Sequence, residues 1–372
     1  MILKLKKFEY VLFFLILLIS FFGLIVMYSA SSDYAIRNFS YDRYFFDRQL
    51  IFIVLGIVIM LVVSNINFKL YSHVSYIFFI ASLALVVGTI LIGTIRRGSI
   101  RWIEVNGINI QTSELVKVSL ILFLSNFVSR NIHFLQDVKY RYRLFLIIFV
   151  PFLVVSINNL STGIIIFIIG FTMYYVSSKR YLPFIIAIII FVFLYVYAYE
   201  IARIIEDIGL LRDYQLERIF AWKNPIDYQD TNYQIIQALY AIASGGIFGR
   251  GLGQSLQKSL IPEPQNDMIF SILCEELGLI GAFIFIFLYI VIISRIIYIA
   301  LKQKDLEAML ICFGVAEHIA VQAILNICVN LNLVPNTGVS LPFVSYGGSS
   351  LVILFFEIAV VMNISKTYEK KR

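Results

Sequence analysis

Charge is scarce in this 372-residue chain: only 14% of its residues are Asp, Glu, Lys or Arg, against about 25% in ordinary globular domains. So few charges cannot coat a water-facing surface, which excludes a soluble enzyme and a disordered chain. Cysteine is scarcer still. Cys274, Cys312 and Cys328 each lie inside an apolar run, so neither a disulfide framework nor a cysteine zinc spacing exists. Histidine occurs only at His73, His133 and His318, which make no metal cluster. Repeats of fixed period and low-complexity tracts are missing, and repeat architectures go with them.

What is present is apolar: 60% of residues are hydrophobic and 16% aromatic, with a mean hydropathy of +0.88. Spread along the whole chain, this composition reads as an all-α, polytopic integral membrane protein. Ten apolar runs are candidate transmembrane helices: Tyr10 to Met27, Leu50 to Val63, Leu70 to Gly93, Leu115 to Val128, Leu144 to Ile157, Leu160 to Val176, Tyr181 to Tyr199, Met268 to Ile293, Leu306 to Leu331, and Leu351 to Ile364. Several are shorter than the about 20 residues that cross a bilayer, so their ends must draw on flanking polar residues. Barrel strands are disfavoured, because the runs exceed about 10 residues and do not alternate.

The formal charge is +7. In a membrane protein basic residues report orientation first, so no nucleic-acid partner is inferred. With a cytoplasmic N-terminus, 17 of the 30 basic residues fall inside, and 7 fall outside once a 66-residue outer loop is set aside. Long loops do not enter the positive-inside count. Both termini are therefore expected in the cytoplasm, with one large extracytoplasmic loop at residues 202–267 within a single domain, 1–372. Ser29, Ala30 and Ser31 imitate a signal-peptide cleavage site, but the preceding run is longer than the usual about 7 to 15 residues.

That loop holds six basic and eight acidic residues, Trp222 and a glycine cluster. Its apolar content disfavours disorder, and Tyr233 to Ala243 reads as an amphipathic helix on the membrane surface. The run Ser244-Gly-Gly-Ile-Phe-Gly-Arg-Gly-Leu-Gly-Gln-Ser255 looks like a phosphate cradle, yet lacks the preceding strand and following helix of a nucleotide loop. Tight turns explain its glycines better. At the end of the loop Asp267 meets the outer mouth of the eighth run, where an Asx residue ordinarily caps the helix. A cap needs one acceptor, whereas Gln257, Lys258, Glu263, Gln265 and Asn266 crowd the same stretch. That density favours a functional site.

Deeper in the eighth run stand Glu275 and Glu276. Membrane-embedded acids are expensive and usually paired; Lys117 in the fourth run is a candidate partner, and Glu114, Glu317, His318 and Glu357 raise the same question. Structural pairing is favoured over a proton relay. Two further outer segments are polar in a patterned way: Arg96 to Lys117, where arginines including Arg101 flank Trp102, and Pro335 to Ser350, which contains Ser345 and Tyr346. An aromatic belt with snorkelling arginines and a Gly/Pro hairpin are the plain readings. Guanidinium groups beside an indole also suit a phosphate on an amphipathic ligand.

Together these segments resemble the SEDS family of bacterial cell-wall polymerases, the FtsW/RodA/SpoVE proteins. The matching pieces are Tyr28-Ser-Ala-Ser-Ser32, Arg101-Trp102-Ile103 with Gln111 to Lys117, Asn159-Leu-Ser-Thr162, Gly251-Leu-Gly-Gln-Ser255 with Gln257-Lys258, Pro262-Glu263 before Asp267, Glu275-Glu-Leu-Gly278, and Leu341-Pro-Phe-Val-Ser-Tyr-Gly-Gly-Ser349. The resemblance implies ten transmembrane helices in the bacterial cytoplasmic membrane and an active site on the outer face. It also implies polymerisation of lipid II, a disaccharide-pentapeptide on undecaprenyl diphosphate, into glycan strands. Asp267 matches the acidic residue regarded as essential. The implied partners are a class B penicillin-binding protein transpeptidase and other divisome or elongasome membrane proteins. A β-1,4 bond formed from an α-linked diphosphate inverts the anomeric carbon, so a base on the acceptor 4-hydroxyl is needed. The departing diphosphate needs positive charge or a divalent cation, Mg or Mn. Arg101, Lys258, Arg250 and Arg218 are the candidate cations, Trp102, Glu263, Ser345 and Tyr346 further substrate contacts, and Asp267 or Glu263 candidate metal ligands. The chain departs from the family pattern at Gln111-Thr-Ser-Glu114, where Gln-Pro-Ser-Glu is common, and at Asn158-Asn159, where Pro-Asp is usual. Its Tyr28 to Ser32 block and Gly338-Val-Ser-Leu-Pro342 form lean toward the division or sporulation branch.

Two other readings stay open. A flippase for the lipid-linked precursor would line its path with Glu275, Glu276, Glu317 and Lys117, and should show related halves and broken midplane helices. A division scaffold without chemistry would not depend on Asp267.

Overall fold

The computed structural model describes residues 9–92, 94–96, 99–105, 108–134, 137–178, 181–208, 213–225 and 227–368. Along the chain run α1 (Tyr10–Phe39), α2 (Tyr44–Val63), α3 (Phe68–His73), α4 (Ser75–Ile92), strands β1 (Thr94–Arg96), β2 (Ser99–Val105) and β3 (Ile108–Gln111), then α5 (Thr112–Arg130), α6 (Val138–Ser156), α7 (Leu160–Ser178), α8 (Tyr181–Val196), α9 (Ala198–Ile208), α10 (Asp213–Lys223), α11 (Gln229–Gly245), α12 (Ile269–Leu301), α13 (Leu306–Asn330) and α14 (Gly348–Tyr368). Polar side chains set several starts. Asn67, Asp137 and Asp305 accept from the backbone N–H two residues on, capping α3, α6 and α13, which satisfies donors that a helix start leaves open.

Seven helices, α1, α2, α5, α7, α12, α13 and α14, are long and apolar enough to cross a membrane, and α8 with α9, bent by 76°, makes an eighth candidate. Shorter α4 and Lys/Arg-led α6 occupy the two remaining apolar runs. The chain is thus a multi-pass helical membrane protein. Its core is the packing of α2 on α14, α12 on α1 and α13, and α5 on α4, α7 and α13. Small residues allow close approach between helices: a Cβ on Gly56 of α2 would lie 2.2 Å from the Phe355 ring of α14.

Three features go beyond the sequence reading. The segment before α5 is a three-stranded antiparallel sheet in the order β1-β2-β3. Val105 pairs with Ile108, so β2 and β3 are joined by a two-residue connection, the shortest that hairpins favour. The expected surface helix is α11, but it docks on protein: Ile235 and Ala238 are buried with Ala30, Ile261, Met268, Ile272 and Val329. Third, the eighth run is not one continuous helix.

Gly278 interrupts α12 with φ 67° and ψ −169°, a left-handed conformation that favours glycine. The glycine-rich run lies in this break. Arg250 and Gly251 donate to the Glu275 and Glu276 carbonyls at 2.9 Å, and Leu279 and Ile280 donate to the carbonyls of Gly246 and Ile247 at 2.9 and 3.2 Å. Backbone freed inside a membrane protein must be satisfied by protein, and here the loop does so. This is the use of the glycines that resembled a phosphate cradle; the run follows a helix, not a strand.

Candidate active site

Asp267 precedes α12 and is 6% exposed. The cap position is Met268 and carries no side-chain cap bond, so the Asp267 carboxylate is not spent on the helix start. Its Oδ1 accepts instead from Gln234 of α11 at 3.3 Å. Its backbone carbonyl accepts two amides of α13, from Asn326 at 2.8 Å and Asn330 at 2.9 Å. Among the described residues Asp267 makes no ion pair.

Other connecting segments converge on the same end of the bundle. Tyr346 donates its N–H to the Gln265 carbonyl at 2.9 Å, tying the Asp267 approach to the loop between α13 and α14. The Ser345 hydroxyl accepts from Leu341 N–H at 2.7 Å, and the Ser345 carbonyl accepts from Gln49 at 3.2 Å. Both Ser345 and Tyr346 therefore shape that loop. Burial raises the Tyr346 phenol above its ordinary pKa, with Arg48 pulling the other way. Gln111 N–H donates to Ser349 Oγ at 3.2 Å, fastening β3 to α14. Trp102, on β2, is half-buried and pairs in register with Gln111; Arg101 is beside it on the strand, and its side chain lies outside the described residues.

The candidate cations divide into two groups. Arg218 donates to the Asn336 carbonyl at 3.1 Å, Asn336 reaches Gln234 at 3.5 Å, and Gln234 reaches Asp267, so Arg218 is connected to the carboxylate through two amides. Lys258 and Arg250 serve the break in α12: Lys258 is buried and donates to Gly253 O at 3.0 Å, while Arg250, 38% exposed, lies 3.7 Å from Glu275. Glu263 sits at φ 50° and accepts from Asn266 at 2.6 Å. Among the described residues no group of three His, Cys, Asp or Glu side chains could enclose a metal.

The membrane-embedded acids have structural partners. Glu275 accepts from the hydroxyls of Ser244 and Ser255 and the N–H groups of Leu256 and Gln257, stitching α12 to the loop. Glu276 accepts from Ser29 of α1. Lys117, a candidate partner for these acids, instead pairs with Glu114 at 2.8 Å, one turn away on α5, and donates to Gln322 at 3.2 Å. His318 Nδ1 lies 2.9 Å from Glu357, and its Nε2 4.0 Å from Glu114. Sequence reasoning did not single out Gln234, Gln322, Asn326, Asn330 or Asn336. Four of the polar residues on α13 were legible as a stripe, since His318, Gln322, Asn326 and Asn330 recur every fourth residue in an apolar helix.

Comparison with known proteins follows the same lines. "Stage V sporulation protein E" of Bacillus subtilis (strain 168) is 36% identical over 94% of each chain. A "Probable peptidoglycan glycosyltransferase FtsW" of Trichlorobacter lovleyi is 32% identical over 97% of this chain and 94% of that one. The fold is shared with a chain of a structure described as "Structural coordination of polymerization and crosslinking by a peptidoglycan synthase complex" (TM-score 0.80, 21% identity, 97% of this chain and 98% of that one). It is shared too with the rod shape determining protein RodA of Thermus thermophilus (TM-score 0.68, 21% identity, 96% and 97%). The sequence profile of the FtsW/RodA/SpoVE cell cycle proteins matches residues 9–370, and the chain belongs to that family.

Proposed function

We propose that this protein is a peptidoglycan glycosyltransferase that polymerises lipid II, with Asp267 as the general base. The observation that carries the reading is that Asp267 is buried, does not cap α12, and receives a neutral amide on one carboxylate oxygen. The other oxygen is then left for the 4-hydroxyl of the acceptor sugar. The base takes that proton as the hydroxyl oxygen attacks the anomeric carbon, and the bond to the diphosphate breaks on the opposite face. Gln234 orients the carboxylate through that one oxygen. The names of relatives in the FtsW and SpoVE branches support the activity and a role in division or sporulation.

The departing lipid diphosphate needs positive charge. Arg218, held two amides from Asp267, is the nearest candidate by connectivity, and Arg250 keeps exposed guanidinium surface. Arg101 and Trp102 on β2 would meet the lipid-linked end, and Lys258 and Glu263 would shape the loop around it. A divalent cation fits here only in the mode that uses one or two carboxylates plus substrate phosphates; with Asp267 engaged as the base, Glu263 would hold Mg or Mn, which would neutralise the leaving diphosphate.

The reading puts the site on the outer face of the bacterial cytoplasmic membrane with both termini cytoplasmic, supported by the excess of Lys and Arg in the opposite segments. A class B penicillin-binding protein would cross-link the emerging strand. The test is Asp267→Asn in purified, folded protein supplied with lipid II. Loss of glycan chains is expected, and normal polymerisation by that variant would remove the catalytic assignment.

One observation favours a transporter: α12 is broken within its run and carries two acids there, as discontinuous helices of transporters do. Here, however, the break is closed by loop backbone and Glu275 is satisfied by four donors. Lipid II translocation across liposomes without polymer would be the result that favours transport.

A further inference from the structure

The polar face of α13 ends at the carbonyl of Asp267. Asn326 and Asn330, both 0% exposed, aim their amide nitrogens at that one oxygen, at 2.8 and 2.9 Å. Neither amide serves it alone. Asn326 Nδ2 also donates to the Val339 carbonyl at 2.8 Å, fixing the loop between α13 and α14. Asn330 Oδ1 accepts from Ser271 N–H at 3.1 Å in the first turn of α12, and its Nδ2 donates to Asn326 O at 2.9 Å. Two turns deeper on the same face, Gln322 joins Lys117 to Ser340. Thus α13 grips the residue before α12, the first turn of α12 and the outer loop at one point.

We infer that Asn326 and Asn330 are positioning residues for the reaction, a conclusion that rests on the reading of Asp267 as the base. Asp267 precedes its helix and has no ion pair among the described residues, so nothing on its own side chain except Gln234 fixes the carboxylate. With the carbonyl clamped by two amides, the side chain keeps only its two rotatable bonds, and Gln234 selects among their rotamers. A shift of about 1 Å at a reacting group is enough to cost on the order of a hundredfold in rate. Buried amides that bond a carbonyl do not by themselves need to meet at a single oxygen; converging there is what directs Asp267.

The experiment compares Asn326→Asp and Asn330→Asp with wild type and with Asp267→Asn, as purified full chains polymerising lipid II. Each aspartate keeps the shape of asparagine but loses the donor to Asp267. Turnover should fall about tenfold to a hundredfold while the KM for lipid II stays within about twofold. The acid limb of the pH–rate profile should move to higher pH, because a displaced carboxylate loses Gln234 and gains a like charge nearby. If either aspartate chain fails to fold, Asn326→Ser and Asn330→Ser, neutral and too short to reach the carbonyl, replace them. They should show about a tenfold fall, with the limb shift arising from the lost Gln234 bond alone. A lowered unfolding midpoint with wild-type turnover and an unmoved acid limb would make the amides purely structural and overturn the inference. An inactive Asp267→Asn beside wild-type asparagine variants would overturn this inference alone; an active Asp267→Asn would remove the base itself and this inference with it.

Discussion

Ser29 of α1 donates its hydroxyl to the carboxylate of Glu276 beside the break in α12. The pair joins residues 247 apart in sequence, and Ser29 belongs to the stretch that imitates a cleavage site. A cut there would remove the partner of a buried acid. The other Glu276 oxygen, Oε2, has no hydrogen-bond partner among the described residues. Ser29→Ala should therefore remove the hydroxyl donor of a buried acid, with only backbone N–H groups of Gly253 and Ser255 left near its carboxylate, and cost about 1–3 kcal/mol. Thermal unfolding in detergent reads this, and an unchanged midpoint would show that the Ser29 bond does not form.

Gly278 admits no side chain. A Cβ would stand 2.3 Å from Gly249 N and 2.4 Å from Ile247 O, in a backbone already at φ 67°. Gly278→Ala should lower the yield of folded protein sharply, through strain of about 1–3 kcal/mol plus expulsion of the loop. Gly88→Ala is the control, since a Cβ there meets nothing within 4 Å. Equal yields of the two variants would refute the insertion of the loop into α12.

Lys117 and Glu114 neutralise each other at 2.8 Å with 1% and 4% of their side chains exposed. Removing one partner of such a pair costs about 3–5 kcal/mol, whereas replacing both is often close to neutral. Lys117→Met should unfold far below wild type, and Lys117→Met with Glu114→Gln should recover most of the difference. A double-mutant cycle on unfolding midpoints measures the coupling; additive losses would mean that the pair is not formed.

At the opposite end of the bundle, Lys69 meets Asp305 at 2.5 Å and Glu307 at 3.1 Å. Burial pulls the ammonium pKa down, but hydrogen bonds to the two carboxylates outweigh it and raise the pKa above the ordinary 10.5. A raised base stabilises fully below its unfolded value and loses that contribution as pH climbs through the folded value. The midpoint gap between wild type and Lys69→Met should stay constant from neutrality to about pH 10 and close above it. Half of the Lys69 side chain is exposed, so the gap should also shrink in high salt; a gap that grows with pH would contradict the clamp.

Long features of low ambiguity were legible in the sequence. Each of the ten apolar runs holds helix, although the third, seventh and eighth are interrupted, because composition over about 20 residues decides that much and no more. Asp267 stood out by the polar crowd around it. What sequence did not disclose depends on which atoms meet. The glycines at 246–253 are turn formers in any sequence, and only the carbonyls of Glu275 and Glu276 opposite them reveal what the turns are for. Lys117 was free to pair with any deep acid, and the one-turn neighbour Glu114 won because no helix has to shift to reach it. Gln234 lies on a face of α11 that only the docking of that helix turns toward Asp267.

The splice at Gly278 also orders the making of the protein. The segment holding Gly246, Ile247, Arg250 and Gly251 leaves the ribosome before α12 does, so its donors and acceptors wait for partners not yet synthesised. Unpaired backbone is not tolerated in lipid, so until α12 arrives this segment must stay in water. The first half of α12 can then settle only as the loop folds onto it, which makes the completion of the eighth run and the closing of this end of the bundle one event in biogenesis.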